Sequence, residues 1–268
     1  MMCASHFRWM SSARSDAGRV RDINEDACLD EPARGRWAVA DGMGGHAVGD
    51  VASRLVIDSL RPLPGAASTL AHKLAPGMPQ DLAHARAQLL TANQQLRDEA
   101  ARRQVQRIGS TVVVLLACDR FCGYLWAGDS RIYLCRKGQL RQLTRDHSHV
   151  EELRAAGQLT DEEARHHPAH HIITRAVGAT DQLNLDEDTI EVADGDVFLL
   201  CSDGLSNELT DAEILATLAA TSPLDCRRVT DELVDMALAR GGRDNITAVV
   251  AQAEDPLASD KTLLNPTC

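Results

Sequence analysis

The sequence predicts an α+β domain built in layers. Three observations carry that reading. Strand-like apolar runs arrive in a block, with helical stretches before and after them, instead of alternating strand by helix. The 268 residues are 44% hydrophobic and 25% charged, the balance of a globular chain long enough to bury a sizeable core. There is no internal repeat and no apolar run of 18 residues, so neither a solenoid nor a membrane-spanning helix is expected.

Residues 1–15 read as a mixed, partly ordered arm. Asp16-Ala17-Gly18 is a turn into an unusually polar segment, Arg21-Asp22-Ile23-Asn24-Glu25-Asp26-Ala27. Arg36 to Ala40 is a short strand that ends in Asp41, a glycine-rich turn and His46. Gly49 to Leu60 has helical spacing at Val51, Leu55, Val56 and Leu60. Pro62, Pro64, Pro76 and Pro79 make residues 61–80 a loop. Asp81 opens a long helix to about Arg103, with an acid at its start and Arg102 and Arg103 at its end, as the helix dipole favours.

The strand block follows. Ser110 to Ala117 is continuously apolar and so buried on both faces; then come Phe121 to Ala127, Arg131 to Arg136 and Leu140 to Leu143, with turns at Gly128-Asp129 and Lys137-Gly138. Residues 147–175 interrupt the strands with two short helical pieces, one opened by a Thr160/Glu163 capping box, and carry six of the ten histidines. This stretch reads as a mobile insert. His166, His167, His170 and His171 could take an adventitious metal or respond to pH, against the plainer reading of a solvated polar loop. Strands resume at Leu185 to Val192 and Val197 to Cys201. One helix is capped by Thr210 with Glu213 at the third position; a second has Ser222 as its cap and Pro223 at its first position, and ends at Gly241-Gly242. Ile246 to Ala251 is the last strand, and residues 255–268 are a loose tail.

Composition excludes several functions. A net charge of −11 argues against binding a phosphate backbone or an anionic membrane, and 3% aromatics leave little for base stacking. The eight cysteines include no Cys-x-x-Cys pair, and Cys118, Cys135 and Cys201 in apolar runs read as reduced, buried thiols. Residues 1–14 hold no apolar leader segment, so the chain reads as cytoplasmic.

One pattern recurs: an apolar strand bounded by an acid and a small or turn-forming residue. It occurs at Ala40-Asp41-Gly42, Ala127-Gly128-Asp129-Ser130, Ser202-Asp203-Gly204 and Arg243-Asp244-Asn245, and Glu25 and Asp26 add two more acids. Any one of these alone fits a plain turn. Together, on strand ends that a sheet can gather at one edge, they point to a carboxylate cluster. Such a cluster repels itself unless protons or cations intervene, and an all-oxygen set suits Mg²⁺ or Mn²⁺. Glu25, Asp26, Asp41, Asp129, Asp203 and Asp244 sum to about −6, which two or three divalent ions would offset. Two such ions sharing a water define in-line displacement at phosphorus. Arg21 has the planar fork that matches a phosphate, although a surface arginine is the alternative; His46 is the candidate general acid, although a solvent-facing loop histidine is its alternative.

These residues resemble the bacterial type-2C, metal-dependent (PPM family) protein serine/threonine phosphatases. The matching pieces are Ser15-Asp16-x-Gly18-x-x-Arg21-x-x-Asn24-Glu25-Asp26, Asp41-Gly42-Met43-Gly44-Gly45-His46, Gly109-Ser110-Thr111, Gly128-Asp129-Ser130-Arg131, Thr174-Arg175-Ala176-Val177-Gly178, Ser202-Asp203-Gly204-Leu205 and Asp244-Asn245-x-Thr247. The resemblance implies a central antiparallel β-sandwich flanked by helix pairs on both sides, as one catalytic domain over residues 8–253 with a flap at about 147–175. It implies hydrolysis of protein phosphoserine and phosphothreonine by a water bridging two Mn²⁺ or Mg²⁺ ions, with no phosphoenzyme. By motif match, Asp41 bridges both ions and Asp203 and Asp244 complete one; the Gly42 carbonyl and Glu25 serve the other. Asp129 with Asp203 would hold a third, weaker ion. Arg21 would hold the phosphate, His46 would be the acid, and Asp26 and Asn245 would lie just behind the ligands. Met43 stands where the eukaryotic pattern has a histidine. The implied partners are phosphorylated proteins and a bacterial Ser/Thr kinase, for a monomer that binds no nucleic acid and no membrane.

The competing reading is a dinucleotide fold, since Gly42-x-Gly44-x-x-Ala47 matches that fingerprint formally. It lacks alternating βα units, and Asp41 would repel a pyrophosphate. A non-catalytic phosphoprotein-binding module is the other rival; it predicts a lost metal acid, and none is lost.

Overall fold

The computed structural model describes residues 5–44, 48–61, 80–165, 167–169, 172–220 and 225–257. Among them the strands are β1 (Arg8–Asp16), β2 (Asp26–Glu31), β3 (Arg36–Met43), β4 (Gly109–Ser110), β5 (Val112–Cys118), β6 (Phe121–Ala127), β7 (Arg131–Arg136), β8 (Gln139–Gln142), β9 (Asp186–Glu191), β10 (Val197–Cys201) and β11 (Ile246–Glu254). The helices are α1 (Gly49–Leu60), α2 (Gln80–Arg103), α3 (His149–Ala155), α4 (Asp161–Arg165), α5 (Asp203–Ser206), α6 (Asp211–Ala219) and α7 (Cys226–Ala239). No helix among these residues is long and apolar enough to cross a membrane.

Two antiparallel sheets stack face to face, one ordered β1-β11-β10-β7-β8 and the other β2-β3-β5-β6-β9, with β4 attached to β3. Alternation along each central strand explains the layering. On β5, Val113 and Leu115 join the core between the sheets, while Val112, Val114 and Leu116 join the core under α1 and α2. On β10, Phe198 and Leu200 point into the sandwich, and Val197, Leu199 and Cys201 point out beneath α6 and α7. Central strands covered on both faces must be apolar at every position, which is why these runs read so clearly. The expected α-β-β-α layers are therefore present. They exclude the dinucleotide fold: β3 pairs antiparallel with both β2 and β5, so the glycines after it do not open a βαβ unit.

Several boundaries differ from expectation. Within the stretch expected to be a partly ordered arm, residues 8–15 are strand, because β1 pairs with β11 along nine residues. Its sequence hides this. Trp9 reaches the sandwich core, but Arg14 turns outward to Asp235 of α7 at 2.9 Å, so partner contacts rather than apolar alternation hold the strand. β2 went unforeseen because acids surround Cys28 and Leu29. The expected run 110–117 breaks into β4 and β5, and β3 continues three residues further, through Met43. Asp225 caps α7 by accepting the Arg228 N–H at 3.1 Å, so Ser222 is not the cap; Ser222 and Pro223 lie outside the described residues. The Thr210/Glu213 capping box on α6 is present, as is the Thr160/Glu163 pair before α4. Cys118 is disulfide-bonded rather than reduced. It ends β5 half-buried, beside the Ser5–Asp119 bridge. Cys28, Cys122, Cys135, Cys201 and Cys226 are free.

Candidate metal centre

Strand ends from both sheets converge at one end of the sandwich. Asp41, near the end of β3, stands opposite Asp26 of β2 in the register. Its N–H donates to Thr111 Oγ1 at 3.0 Å, and its carbonyl accepts the Thr111 N–H at 2.8 Å. Thr111 Oγ1 also hydrogen-bonds Ser130 Oγ at 2.8 Å, linking β3 to the Gly128-Asp129-Ser130 turn between β6 and β7. Asp203 follows β10 and opens α5, and Asp244 immediately precedes the residues leading into β11.

Glycine is required where these pieces touch. A Cβ on Gly42 would sit 2.0 Å from Gly49 O and 2.7 Å from Glu25 O. A Cβ on Gly49 would sit 2.4 Å from Glu25 Oε1 and 3.0 Å from Gly42 O. The Gly42 carbonyl and the Glu25 carboxylate therefore converge over the first turn of α1, whose partial positive charge favours oxygen ligands there. Gly204 is likewise pressed against Asn245 O, 2.0 Å from where a Cβ would be. Because the Gly42 clash is with backbone, no rotamer relieves it. Gly42→Ala is expected to destabilise the protein by about 1–3 kcal/mol, read as a lowered urea midpoint at unchanged m-value.

Asn245 is buried and fully used. It accepts the Glu25 N–H at 2.8 Å and donates from Nδ2 to Ala17 O and Ile23 O, both at 2.9 Å. It thus pins the loop that carries Arg21. Arg21 Nη2 donates to Asp244 Oδ2 at 2.8 Å, and the arginine side chain is 52% exposed. His46 lies outside the described residues, as do Gly45, His166, His170 and His171.

The acids strain against one another electrostatically. Burial, then the charges of Asp26, Asp203, Asp129 and Asp244, hold the Asp41 carboxyl well above its ordinary range. Burial pushes Asp129 up to about 8, with Asp203 adding to it. Burial pushes Asp26 up to about 7, although Thr247 and Ser202 hydrogen bonds oppose the shift; Ser202 Oγ donates to Asp26 Oδ2 at 2.7 Å. Asp203 is raised by burial and by Asp244. Asp26 Oδ1, Asp129 Oδ1 and Asp203 Oδ1 are buried with no hydrogen-bond partner. Buried carboxylate oxygens without partners are costly, and a cation satisfies them. Among the described residues no three His, Cys, Asp or Glu side chains close into a ready-made ligand cage. The donor set still fits Mn²⁺ or Mg²⁺, which keep several waters and take only one or two carboxylates each.

Thr111, Ser202 and Gly49 hold this arrangement and had no assigned role in the sequence reading. The available signal was polarity inside apolar runs: Thr111 and Ser202 are both fully buried.

Fold and site together define an α-β-β-α domain with a cluster of buried carboxylates at one end of its sandwich. The chain belongs to the protein phosphatase 2C family, whose model matches residues 17–247. It is 37% identical over 252 residues to the serine/threonine protein phosphatase PstP of Mycobacterium tuberculosis, covering 91% of this chain. The chain spans 45% of the length of that relative. Among solved structures, PppA, a key regulatory component of T6SS in Pseudomonas aeruginosa, superposes with a TM-score of 0.80 at 43% identity, covering 91% of this chain and 97% of that one. The catalytic domain of PstP in complex with two manganese ions superposes with a TM-score of 0.79 at 34% identity, covering 93% and 100%.

Proposed function

We propose that the chain hydrolyses phosphoserine and phosphothreonine in proteins, using Mn²⁺ or Mg²⁺ held by Glu25, Asp41, the Gly42 carbonyl, Asp203 and Asp244, with Asp129 and Asp203 taking a third, weaker ion. The observation that carries this reading is the set of unpartnered, buried carboxylate oxygens on Asp26, Asp129 and Asp203, grouped with Asp41 and Asp244 beside an exposed arginine. When bound, the ions supply Lewis acidity at phosphorus and lower the pKa of water they hold.

The protein's own groups do the rest. Arg21 has five N–H donors, of which one hydrogen bond to Asp244 is in place; the remainder of the fork is free to take non-bridging phosphate oxygens. Asn245 keeps that arginine loop in position. His46 is assigned the proton that the departing serine or threonine oxygen requires. No side-chain nucleophile is needed, so the reaction proceeds without a phosphoenzyme. The substrates are phosphorylated proteins of a bacterial Ser/Thr kinase, met in the cytoplasm by a monomer.

The test is release of p-nitrophenol from p-nitrophenyl phosphate, and of phosphate from a phosphoserine peptide, with Mn²⁺ and with chelator. Turnover only with Mn²⁺ is expected; folded protein that turns over neither substrate with Mn²⁺ overturns the proposal. Asp129→Asn is expected to lower turnover while leaving the affinity of the two tighter ions unchanged. Wild-type rates in that variant would remove the third ion from the mechanism.

A further inference from the structure

Residues 147–175, between β8 and β9, are fastened to the candidate metal centre through one buried side chain. His147 is 6% exposed, and both backbone polar groups of Gly128 are committed to it. The Gly128 N–H donates to His147 Nδ1 at 3.2 Å, and the His147 N–H donates to Gly128 O at 2.8 Å. Gly128 directly precedes Asp129. It lies at φ +113°, and a Cβ there would stand 2.6 Å from the Thr111 Cβ, so the turn is clamped between His147 and the threonine that holds Asp41.

The far side of the imidazole is fixed as well. Nε2 lies 3.1 Å from Asp186 Oδ2, and Arg175 Nη1 donates to Asp186 Oδ1 at 2.8 Å. A backbone N–H can only donate, so Nδ1 carries no proton and Nε2–H faces Asp186. Burial lowers the pKa of His147, in keeping with this neutral tautomer. The ring stacks on Trp126 at 6.0 Å and 11°. The insert's other end returns to the same residue: the Thr174 N–H donates to His147 O at 2.8 Å, and Ser148 bridges to Ile173.

We propose that His147 is a positioning residue that sets the Gly128–Asp129 turn for the third, weaker cation and so couples the 147–175 insert to that ion. The inference rests on the divalent-cation reading above. Asp129 Oδ1 has no protein partner, so the backbone of its turn is what aims it, and that backbone is held by the imidazole. Groups behind a metal ligand tune its affinity in this way.

Two near-isosteric substitutions separate the halves of the ring. His147→Asn puts an amide oxygen where Nδ1 was, which keeps the acceptor for Gly128 and gives up Asp186. His147→Gln puts an amide nitrogen near the position of Nε2, which keeps Asp186 and leaves the Gly128 N–H without an acceptor. Mn²⁺ binding to the substrate-free protein is counted by electron paramagnetic resonance of the free ion. His147→Gln is expected to weaken the weakest ion by about 10-fold or more while leaving the two tighter ions unchanged, and His147→Asn to stay within about 3-fold of wild type. In assays at fixed Mn²⁺, kcat should fall in His147→Gln with KM for a phosphopeptide unchanged. Equal behaviour of the two variants, or parallel weakening of all ions, overturns the proposal, since a purely structural role predicts either result. If His147→Gln does not fold, His147→Leu, of similar volume and with no acceptor for the Gly128 N–H, should weaken the same ion, and unchanged binding there overturns the coupling. Wild-type protein that binds no Mn²⁺ defeats the cation reading itself, whereas wild-type protein that binds only two ions defeats this inference and the third-ion assignment to Asp129 and leaves the two-ion centre standing.

Discussion

Asp41→Asn and Asp203→Asn are expected to fold and to lose phosphatase activity by about 10³-fold or more, since several kcal/mol of charge stabilisation at phosphorus depends on the cations these acids would hold. The fold should survive because neither carboxylate stabilises the metal-free protein as an anion. Burial and neighbouring acids raise both, so an amide of the same shape removes repulsion. Asn at 41 keeps the backbone pair with Thr111, which involves only main-chain atoms of residue 41. At 203, Asn207 Nδ2 loses a carboxylate acceptor at 3.1 Å but can still donate to an amide oxygen. The expected combination is unchanged far-UV circular dichroism, a metal-free thermal midpoint equal to or above wild type, and almost no turnover at saturating Mn²⁺. Near wild-type turnover in either variant would sink the assignment of that acid. An unfolded variant would show instead that the carboxylate holds the strand ends together.

Legibility of the fold in the sequence followed burial on both faces. β5 and β10 sit in the middle of their sheets, so every residue is apolar and the runs stand out. β1 and β2 are edge strands, and β1 meets its polar needs through α7: Arg14 reaches Asp235, and Cys226 Sγ donates to Met10 O. Nothing local in residues 8–16 announces that partner. The start of α7 was misread for a related reason, because Ser222-Pro223 is a good local start signal and Asp225, two residues on, is another; which one caps depends on where the helix docks. The candidate site was legible because its acids share one local form, an acid at the end of an apolar strand. The residues that support those acids share none. Thr111 and His147 act through hydrogen bonds to Asp41 and Gly128, 70 and 19 residues away in the chain, and only the sheet topology brings them there.

Stripped of divalent ions, the protein is expected to lose stability as the pH rises from about 4 to about 8, and Mn²⁺ at pH 8 is expected to restore it. Unfolded aspartates lose their protons at about pH 3.9. In the fold, Asp26 is pushed up to about 7 and Asp129 up to about 8, with burial as the main cause of each. Across the window between those values the native state holds protons that the unfolded state has released. The slope of stability against pH is therefore negative there. Each tenfold difference in proton affinity between the folded and unfolded states is worth about 1.4 kcal/mol, so the shift of Asp26 alone corresponds to a loss of about 4 kcal/mol. Acids with lowered pKa act in the opposite sense, but at lower pH: Glu99, beside Arg102, and Glu213, bonded to Thr210, are both held at about 2. Their effect is complete by about pH 5, and His147, lowered by burial, opposes the trend only up to its ordinary value of about 6.5. Cations bound only by the native state replace those protons and stabilise by mass action, about 2.7 kcal/mol at 100 times the dissociation constant. Thermal midpoints at pH 5 and pH 8, in chelator and in Mn²⁺, read both effects. The chelated protein should melt lower at pH 8 than at pH 5, and the Mn²⁺ increment should be larger at pH 8, where the ions no longer compete with protons. A metal-free midpoint that rises across this window would mean that Asp26 and Asp129 are solvated rather than buried together, and the electrostatic case for a cation centre at this end of the sandwich would fall with it.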